Sequence, residues 1–225
     1  TELNRWYKKR IEVWKSEVDT GLTDIQMEDS ELDVVNELEQ DAGISFARDF
    51  ATKILNGTGS EQAEGLFVSP EVITYNSEET ATFTMDNLRS LPYQLKADYR
   101  AGGQARFLMS RSAIVTTLLF REDVNGPHTG QYLWQPSTQE GSPSRLAGEP
   151  WTEMVDMDSV GANTFPVAYG NLKRAYRRSV RRGLKLLRDE VTTRPYGLFF
   201  WSQRWGGRVW IGEAFVKMKC AVPPP

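Results

Sequence analysis

The sequence predicts a mixed α+β fold, and two regions of the chain carry that prediction. The last third holds apolar runs rich in Val, Phe, Trp and Tyr, interrupted by Gly-Asn, Arg-Pro and Gly-Gly pairs. This pattern is typical of strands joined by tight turns. Between Asp29 and Ile54, apolar residues instead recur at the three- and four-residue spacing of an amphipathic helix. A hydrophobic content of 40% over 225 residues is sufficient for a folded core.

The first 20 residues carry apolar side chains at helical spacing, with basic residues between them: Tyr7, Ile11, Trp14 and Val18. This spacing predicts a helix at least as well as a hairpin, and Thr20 with Gly21 ends the pattern. The start of the chain lacks the apolar run of a signal peptide. It also lacks an initiator Met, which we interpret as the mark of a processed or trimmed product.

The strongest helix signal follows this segment. Asp29, or the serine after it, suits a helix N-cap, and acidic residues fill the first turn. Gly57 suits the left-handed conformation found just beyond a helix end. One apolar stripe runs through the segment: Leu32, Val35, Leu38, Ala42, Phe46, Phe50 and Ile54. We therefore predict a continuous helix from about Asp29 to Ile54, the longest of the structure, with Gly43 as its weak point.

Shorter elements are predicted between residues 65 and 119. Residues 65–85 form short apolar pieces broken by Pro and Asn, which indicates strand and loop. Thr84 or Asp86 then begins a short helix with Pro92 near its first turns, and the apolar residues of this helix are Leu88, Leu91, Leu95 and Tyr99. Residues 105–110 read as a buried strand. Ser110 suits the N-cap of a further helix that places three residues on one face: Ile114, Leu118 and Leu119.

Charge and cysteine content exclude several classes of protein. Lysine and arginine total 27 against 30 aspartate and glutamate residues, for a net charge of −3. This balance argues against a dedicated nucleic-acid-binding domain. The lone cysteine, Cys220, cannot form an internal disulfide and favours a reducing compartment. No apolar run approaches the ~20 residues that a membrane-spanning helix needs.

The residue types that enzymes use are scarce. The single histidine, His128, lies in the loop sequence NGPHTG, and we interpret it as a solvated loop residue. A Ser-His-Asp or Cys-His arrangement is open only through that loop. No nucleotide-binding or metal-binding motif occurs. We therefore expect that the protein is not an enzyme and that it has no catalytic residue, no cofactor and no metal site.

Two segments allow competing interpretations. Residues 172–188 carry eight basic residues: Lys173, Arg174, Arg177, Arg178, Arg181, Arg182, Lys185 and Arg188. They indicate either a basic amphipathic helix for nucleic acid or membrane, or strands with solvated faces, and we favour strands. The second segment interleaves aromatic residues with arginines: Phe199, Phe200, Trp201, Arg204, Trp205, Arg208 and Trp210. It suits stacking on single-stranded bases or packing in a core or between subunits, and we favour packing.

Several motifs, taken in order, resemble the major capsid proteins of tailed phages, which have the Hong Kong 97 fold. In the last third they are PVAYGNLKRAY (166–176), LKLLRDEVTTRPYGLFFWSQRWGGRV (184–209) and EAFVKMK (213–219). Earlier matches are the predicted long helix with its NGTG end, the run LPYQLKADYRAGGQARFLMSRSAIVTTLLFRED and the run that follows it. The resemblance covers residues 27–219 and is weaker between 65 and 82. Its implied source is a phage, a prophage or a gene transfer agent.

The resemblance implies a Hong Kong 97-like capsid fold. A long spine helix and an elongated sheet form a peripheral (P) domain, and an axial (A) domain is α/β. The P domain would comprise residues 25–82 and about 180–210, with the spine helix at 29–55. The A domain would comprise 83–179 and about 211–225. Residues 1–24 would be the remnant of an N-terminal arm and extended (E) loop, either trimmed or naturally reduced.

The implied function is that of a structural subunit that self-assembles into hexamers and pentamers of an icosahedral shell enclosing double-stranded DNA. Implied partners are further copies of the chain, portal, scaffold or protease proteins, and packaged DNA, with no membrane. The implied location is the virion capsid, assembled in the bacterial host cytoplasm. An encapsulin-type compartment and a small DNA-binding protein using residues 173–188 are the alternatives.

Residue-level expectations follow from the two ambiguous segments. Some relatives cross-link themselves through a Lys, an Asn and a Glu, but this sequence has Phe199 at the Asn position and Gly206 or Gly207 at the Glu position, so that chemistry should be absent. The residues that we expect at or beneath a subunit interface are Trp201, Arg204, Trp205, Arg208 and Trp210. Truncation of Trp205 is expected to leave a folded monomer and weaken assembly. The candidates for non-specific DNA contact are Arg177, Arg178, Arg181 and Arg182.

Overall fold

The structure is a computed structural model that describes residues 9–23, 25–26, 34–100, 103–121, 145–189 and 191–222. The chain divides into two compact units, Thr1–Val68 with Arg178–Arg208 and Ser69–Arg177 with Val209–Pro225. Its strands are β1 (Trp14–Thr23), β2 (Ile73–Asn76), β3 (Arg106–Met109), β4 (Arg145–Leu146), β5 (Glu149–Glu153), β6 (Val167–Gly170), β7 (Tyr176–Asp189), β8 (Tyr196–Val209) and β9 (Phe215–Lys219). Its α-helices are α1 (Val34–Asn56), α2 (Met85–Ser90), α3 (Ala97–Arg100), α4 (Arg111–Leu118) and α5 (Leu172–Ala175).

The first unit is built on a three-stranded sheet with the order β1-β8-β7. Strand β1 runs antiparallel to β8, with Trp14 opposite Trp205 and Thr23 opposite Tyr196. Helix α1 packs on this sheet through an apolar cluster of Ala42, Phe46, Phe199 and Trp201, extended by Val18, Leu22, Val35 and Leu38. The core of this unit is therefore one helix against one sheet.

Of the helix and the hairpin that the first 20 residues allowed, the helix is wrong for the described part of that segment, because Trp14–Thr23 forms strand β1. Trp14 and Val18 are four residues apart, a spacing that satisfies a helix and also places both on one face of a strand. Pairing with β8 along ten residues decides between the two, and the partly buried and exposed residues of β1 then alternate.

Helix α1 is continuous over 23 residues and is the longest helix in the described part of the chain. Its predicted start at Asp29 and the stripe residue Leu32 lie outside the described residues. It ends at Asn56, as the Asn-Gly pair predicted. Gly57 follows because a side chain there would meet the carbonyl oxygens of Lys53 and Ala63. Of the stripe, Ala42 and Phe46 are fully buried, and the remaining described members are partly buried.

The second unit is built on a six-stranded mixed sheet with the order β2-β9-β6-β3-β5-β4. Strands β2 and β9 are parallel, as are β3 and β5, whereas β6 runs antiparallel to both β3 and β9. Apolar side chains from the sheet, from α2 and from the turn that follows α2 form one buried core, which includes Leu88, Leu91, Phe107, Met109, Val167, Tyr169, Val216 and Met218. Residues 105–110 were predicted as a buried strand, and β3 lies in the middle of this core.

Helix starts in the second unit follow the predicted caps. The Thr84 hydroxyl accepts the backbone N–H of Asn87 at 3.3 Å, and the Asn87 side chain accepts the backbone N–H of Thr84 at 2.8 Å. The Ser110 hydroxyl accepts the backbone N–H of Ala113 at 3.3 Å. Such side chains occupy backbone donors that a helix N-terminus otherwise leaves unpaired.

Two details of these helices differ from prediction. The helix beginning after Thr84 does not continue to Tyr99, since α2 ends at Ser90, a 3₁₀ turn spans Leu91–Gln94, and α3 follows. Pro92 lies in the first turn of the 3₁₀ piece, because proline is tolerated there and not in a helix interior. In α4 the fully buried residues are Ala113 and Thr117, whereas the predicted Leu119 is 60% exposed just beyond the helix end.

Candidate interaction surfaces

The basic segment is mainly a strand. Only Leu172–Ala175 is helical, capped by Asn171, and residues from Tyr176 to Asp189 form β7. The alternative of a basic amphipathic helix through residue 188 is therefore wrong, and the strand interpretation is correct. One long strand forms here, paired with β8. Because β-pairing turns successive side chains to opposite sides, the basic residues are distributed over both faces of the strand.

Strand β7 has little cover on either face. Every residue from Val180 to Arg188 is exposed, and in the sheet of the first unit β7 lies at one edge. Four of these exposed residues are aliphatic: Val180, Leu184, Leu186 and Leu187. Such side chains on a strand otherwise rich in arginine mark a surface that is suited to contact with another molecule. These aliphatic residues were not predicted to be exposed, although the sequence LKLL at 184–187 within the basic run indicates them.

The four candidate arginines for DNA contact have different surroundings. The guanidinium carbon of Arg177 lies 4.2 Å from the centre of the Trp210 ring, and that of Arg178 lies 4.3 Å from the Phe50 ring. Arg182 donates a hydrogen bond of 2.6 Å to the Ser202 hydroxyl. Arg181 is exposed. Three of the four are therefore oriented by contacts within the chain, and those contacts remain compatible with a charge at the surface.

The tryptophans of β8 lie inside the protein. Trp201 is 1% exposed and stacks on Phe199 with ring centres 5.8 Å apart. Trp205 is 3% exposed and contacts the Phe50 ring of α1 edge-on at 4.8 Å. Their contacts in this chain are therefore core packing. The expectation that truncation of Trp205 spares the monomer is accordingly revised, because the indole fills this chain's own core.

The remaining interface candidates of the aromatic segment are at least partly exposed to solvent. Arg204 is exposed, and Arg208 and Trp210 are partly exposed. The Arg208 guanidinium lies 2.9 Å from the Glu64 carboxylate and donates a hydrogen bond of 3.4 Å to the carbonyl oxygen of Arg10. Arg208 thus holds three segments of the first unit together. The prediction that β8 lies at or beneath a subunit interface stays a prediction.

The glycine-rich turn after α1 is a structural connection. The N–H of Gly57 donates to the Lys53 carbonyl at 3.0 Å, that of Gly59 to the Ala63 carbonyl at 3.3 Å, and that of Gly65 to the Gly57 carbonyl at 2.7 Å. A phosphate-binding loop needs free backbone N–H groups. These donors are engaged within the turn, as expected for an element that reverses the chain.

The lone cysteine of the chain lies in the core of the second unit. Cys220 is fully buried, and burial raises the pKa of its thiol. His128 lies outside the described residues. No group of three or more His, Cys, Asp or Glu residues that suits a metal ion occurs in the described part. An open cleft of about 340 Å³ in the second unit is lined by Arg89, Pro92, Tyr93, Arg100, Ala147 and Glu149. Among the described helices, none has the length and apolarity to cross a membrane.

Lys217 is a buried lysine that was not predicted from the sequence. Lys217 on β9 is 6% exposed, its ammonium donates to the Ser69 carbonyl at 3.2 Å, and it lies 5.2 Å from the Phe165 ring centre. Burial lowers the pKa of this ammonium. Because β9 is buried on both faces, an alternation of apolar and polar residues does not indicate which of its side chains reach solvent.

Comparison with known proteins gives consistent matches. The model of the phage capsid family matches residues 21–220. The solved capsid of an empty GTA particle is similar at 24% identity and a TM-score of 0.83, over 98% of this chain and 79% of that chain. The capsid of a native GTA particle is similar at 25% identity and a TM-score of 0.83, over 94% and 73%. The holo-SrpI encapsulin complex from Synechococcus elongatus PCC 7942 is similar at 15% identity and a TM-score of 0.62, over 95% and 74%. No curated protein sequence matches.

Proposed function

The chain belongs to the phage capsid family, and on that premise we propose that it forms the hexamers and pentamers of an icosahedral shell around double-stranded DNA. The observation that carries the proposal is the family match across residues 21–220. The family match and the GTA capsid structures support a capsid shell protein with a mixed helix–sheet fold. The symmetry of the capsomers and the DNA content of the shell are decided by experiment.

The surfaces of the first unit suit assembly from many copies. Strand β7 exposes aliphatic and basic side chains together, which is the composition of a protein contact. On β8, Arg204 and Arg208 supply the exposed part of the proposed subunit interface, with Trp201 and Trp205 beneath them. Trp210, which follows β8 and belongs to the second unit, is the further proposed interface residue. Arg177, Arg178, Arg181 and Arg182 are the proposed non-specific contacts to packaged DNA.

The proposal extends to domains, partners and location. The P domain would comprise residues 25–82 and about 180–210, and the A domain 83–179 and about 211–225. The two compact units divide the chain within two residues of the bounds at about 180 and 210, which supports those two bounds, whereas the first unit ends at Val68 and not at residue 82. Portal, scaffold or protease proteins are proposed as further partners. The proposed location is the virion capsid, after assembly in the host cytoplasm.

Purified particles test the proposal directly. The full chain is expressed in bacteria, and the product is analysed by sedimentation and electron microscopy. We expect closed shells with hexameric and pentameric capsomers, and nuclease-protected double-stranded DNA when the packaging partners are present. A protein that stays monomeric at high concentration, under conditions in which it is folded, would refute the assembly function.

An encapsulin-like compartment is the second candidate, because the fold also matches the encapsulin complex. The contents of the particles separate the two functions. Shells that enclose a specific protein and no nucleic acid would favour the compartment. A small DNA-binding protein, the third alternative, would bind DNA as a monomer with an affinity that falls steeply with salt.

A further inference from the structure

Strand β7 carries an excess of positive charge along its own length. Between Arg178 and Arg188 the strand contains five basic residues and no acidic one. Arg181 and Lys185 are both exposed on the sheet edge. The strand thus forms a basic surface that is accessible to another molecule.

The exposed aliphatic residues indicate a protein rather than a phosphate backbone as the cover. Leu187 is 60% exposed and Val180 48% exposed, and both lie among the basic residues. Charged residues alone would suffice to protect a sheet edge from unwanted pairing. Aliphatic side chains gain free energy only when a partner removes them from water, and a sugar–phosphate backbone offers them little apolar surface.

A complementary surface exists on the same protein, on the first half of α1. From Val34 to Ala47 this helix contains Glu37, Glu39 and Asp41 and no basic residue. Glu37, Asp41 and Ile44 lie on one helix face at the i, i+4, i+7 spacing, and all three are exposed. Ile44 is 52% exposed, so this face also combines charge with an aliphatic group. We call the face of Glu37, Asp41 and Ile44 the acidic helix face.

We infer that β7 is a docking surface for a second copy of this chain, which contacts it through the acidic helix face. The inference rests on the proposed assembly function and specifies one contact within it. Each copy offers β7 to one neighbour and the acidic helix face to another. Such a head-to-tail contact uses two different patches and closes into a ring when the rotation between copies permits. For Arg181 this contact takes the place of the non-specific DNA contact considered above.

Charge reversal on each surface, separately and together, tests this contact. The strand variant is Arg181→Glu with Lys185→Glu, and the helix variant is Glu37→Lys with Asp41→Lys. Because like charges across an interface cost several kcal/mol, each variant should lower the particle yield by about tenfold or more. The variant with all four changes places opposite charges against each other again. It should recover most of the wild-type yield.

A matched control reverses two acids on the opposite edge of the same sheet, Glu17→Lys with Asp19→Lys, and should assemble like the wild type. Thermal melts of the unassembled proteins confirm that every variant folds. The inference is overturned by a four-fold variant as poor as the strand variant, or by a helix variant that assembles normally. A strand variant with normal yield but less protected nucleic acid would assign β7 to DNA instead. Wild-type protein that never assembles would refute the proposed function and, with it, this contact.

Discussion

Replacement of Trp205 by alanine measures how much of the aromatic strand belongs to the core of the protein itself. The indole is 3% exposed, so nearly all of its ~150–250 Å² is removed from water on folding. At about 25 cal/mol per Å², this burial corresponds to an upper limit of about 4–6 kcal/mol. Large aromatic-to-alanine changes in cores cost about 3–5 kcal/mol. The edge-on contact with Phe50 at 4.8 Å is part of that loss.

The assay is a thermal or chemical melt of the unassembled protein, at a concentration too low for particles to form. A loss of 3–5 kcal/mol should lower the melting temperature of a chain of this size by roughly 6–20 °C. Trp205→Phe keeps a ring beside Phe50 and should lose less. Arg204→Ala is the matched control, because that neighbour is exposed and should change the stability by no more than about 0.5 kcal/mol. A wild-type melt for Trp205→Ala, with reduced particle yield, would show that Trp205 contributes to assembly alone and that the packing argument is wrong.

Three further predictions concern backbone and charge. Gly206→Ala should destabilise the first unit by about 1–3 kcal/mol, because a Cβ there would overlap the Glu12 carbonyl oxygen. Gly183→Ala in β7 should be neutral or stabilising, because a Cβ there meets nothing within 4 Å. Denaturant melts compare the two variants, and equal losses of stability would contradict the argument. Gly43→Ala on the open side of α1 should raise the free energy of unfolding by about 1 kcal/mol, and a loss in the same melt would reveal a hidden contact. Burial lowers the pKa of Lys217 below 10.5, so the unfolded state binds more protons than the folded state. The stability of the wild type relative to Lys217→Met should therefore rise as the pH increases towards about 10. A difference in stability that does not change with pH would contradict this sign.

The helix and cap positions could be predicted from the sequence because their causes lie within a few residues. The Thr84 and Ser110 caps depend on a hydroxyl three residues from the N–H that it accepts. The end of α1 at Asn56 depends on the glycine that follows it. The order of the motifs also sufficed for the family, since residues 21–220 match its model. Such local signals can be recognised in a sequence without knowing which distant segments of the chain pack together.

The exposed and buried sides of the strands could be decided only by the tertiary structure. Trp14 and Val18 fit a helix or a strand by spacing, and pairing with β8 selected the strand. The composition of β8 suited a core or a subunit contact equally, and the position of α1 over the sheet buried Trp201 and Trp205. The leucines of β7 are exposed because β7 lies at the sheet edge. Burial depends on which distant segments pack together, and residue type alone does not encode that choice.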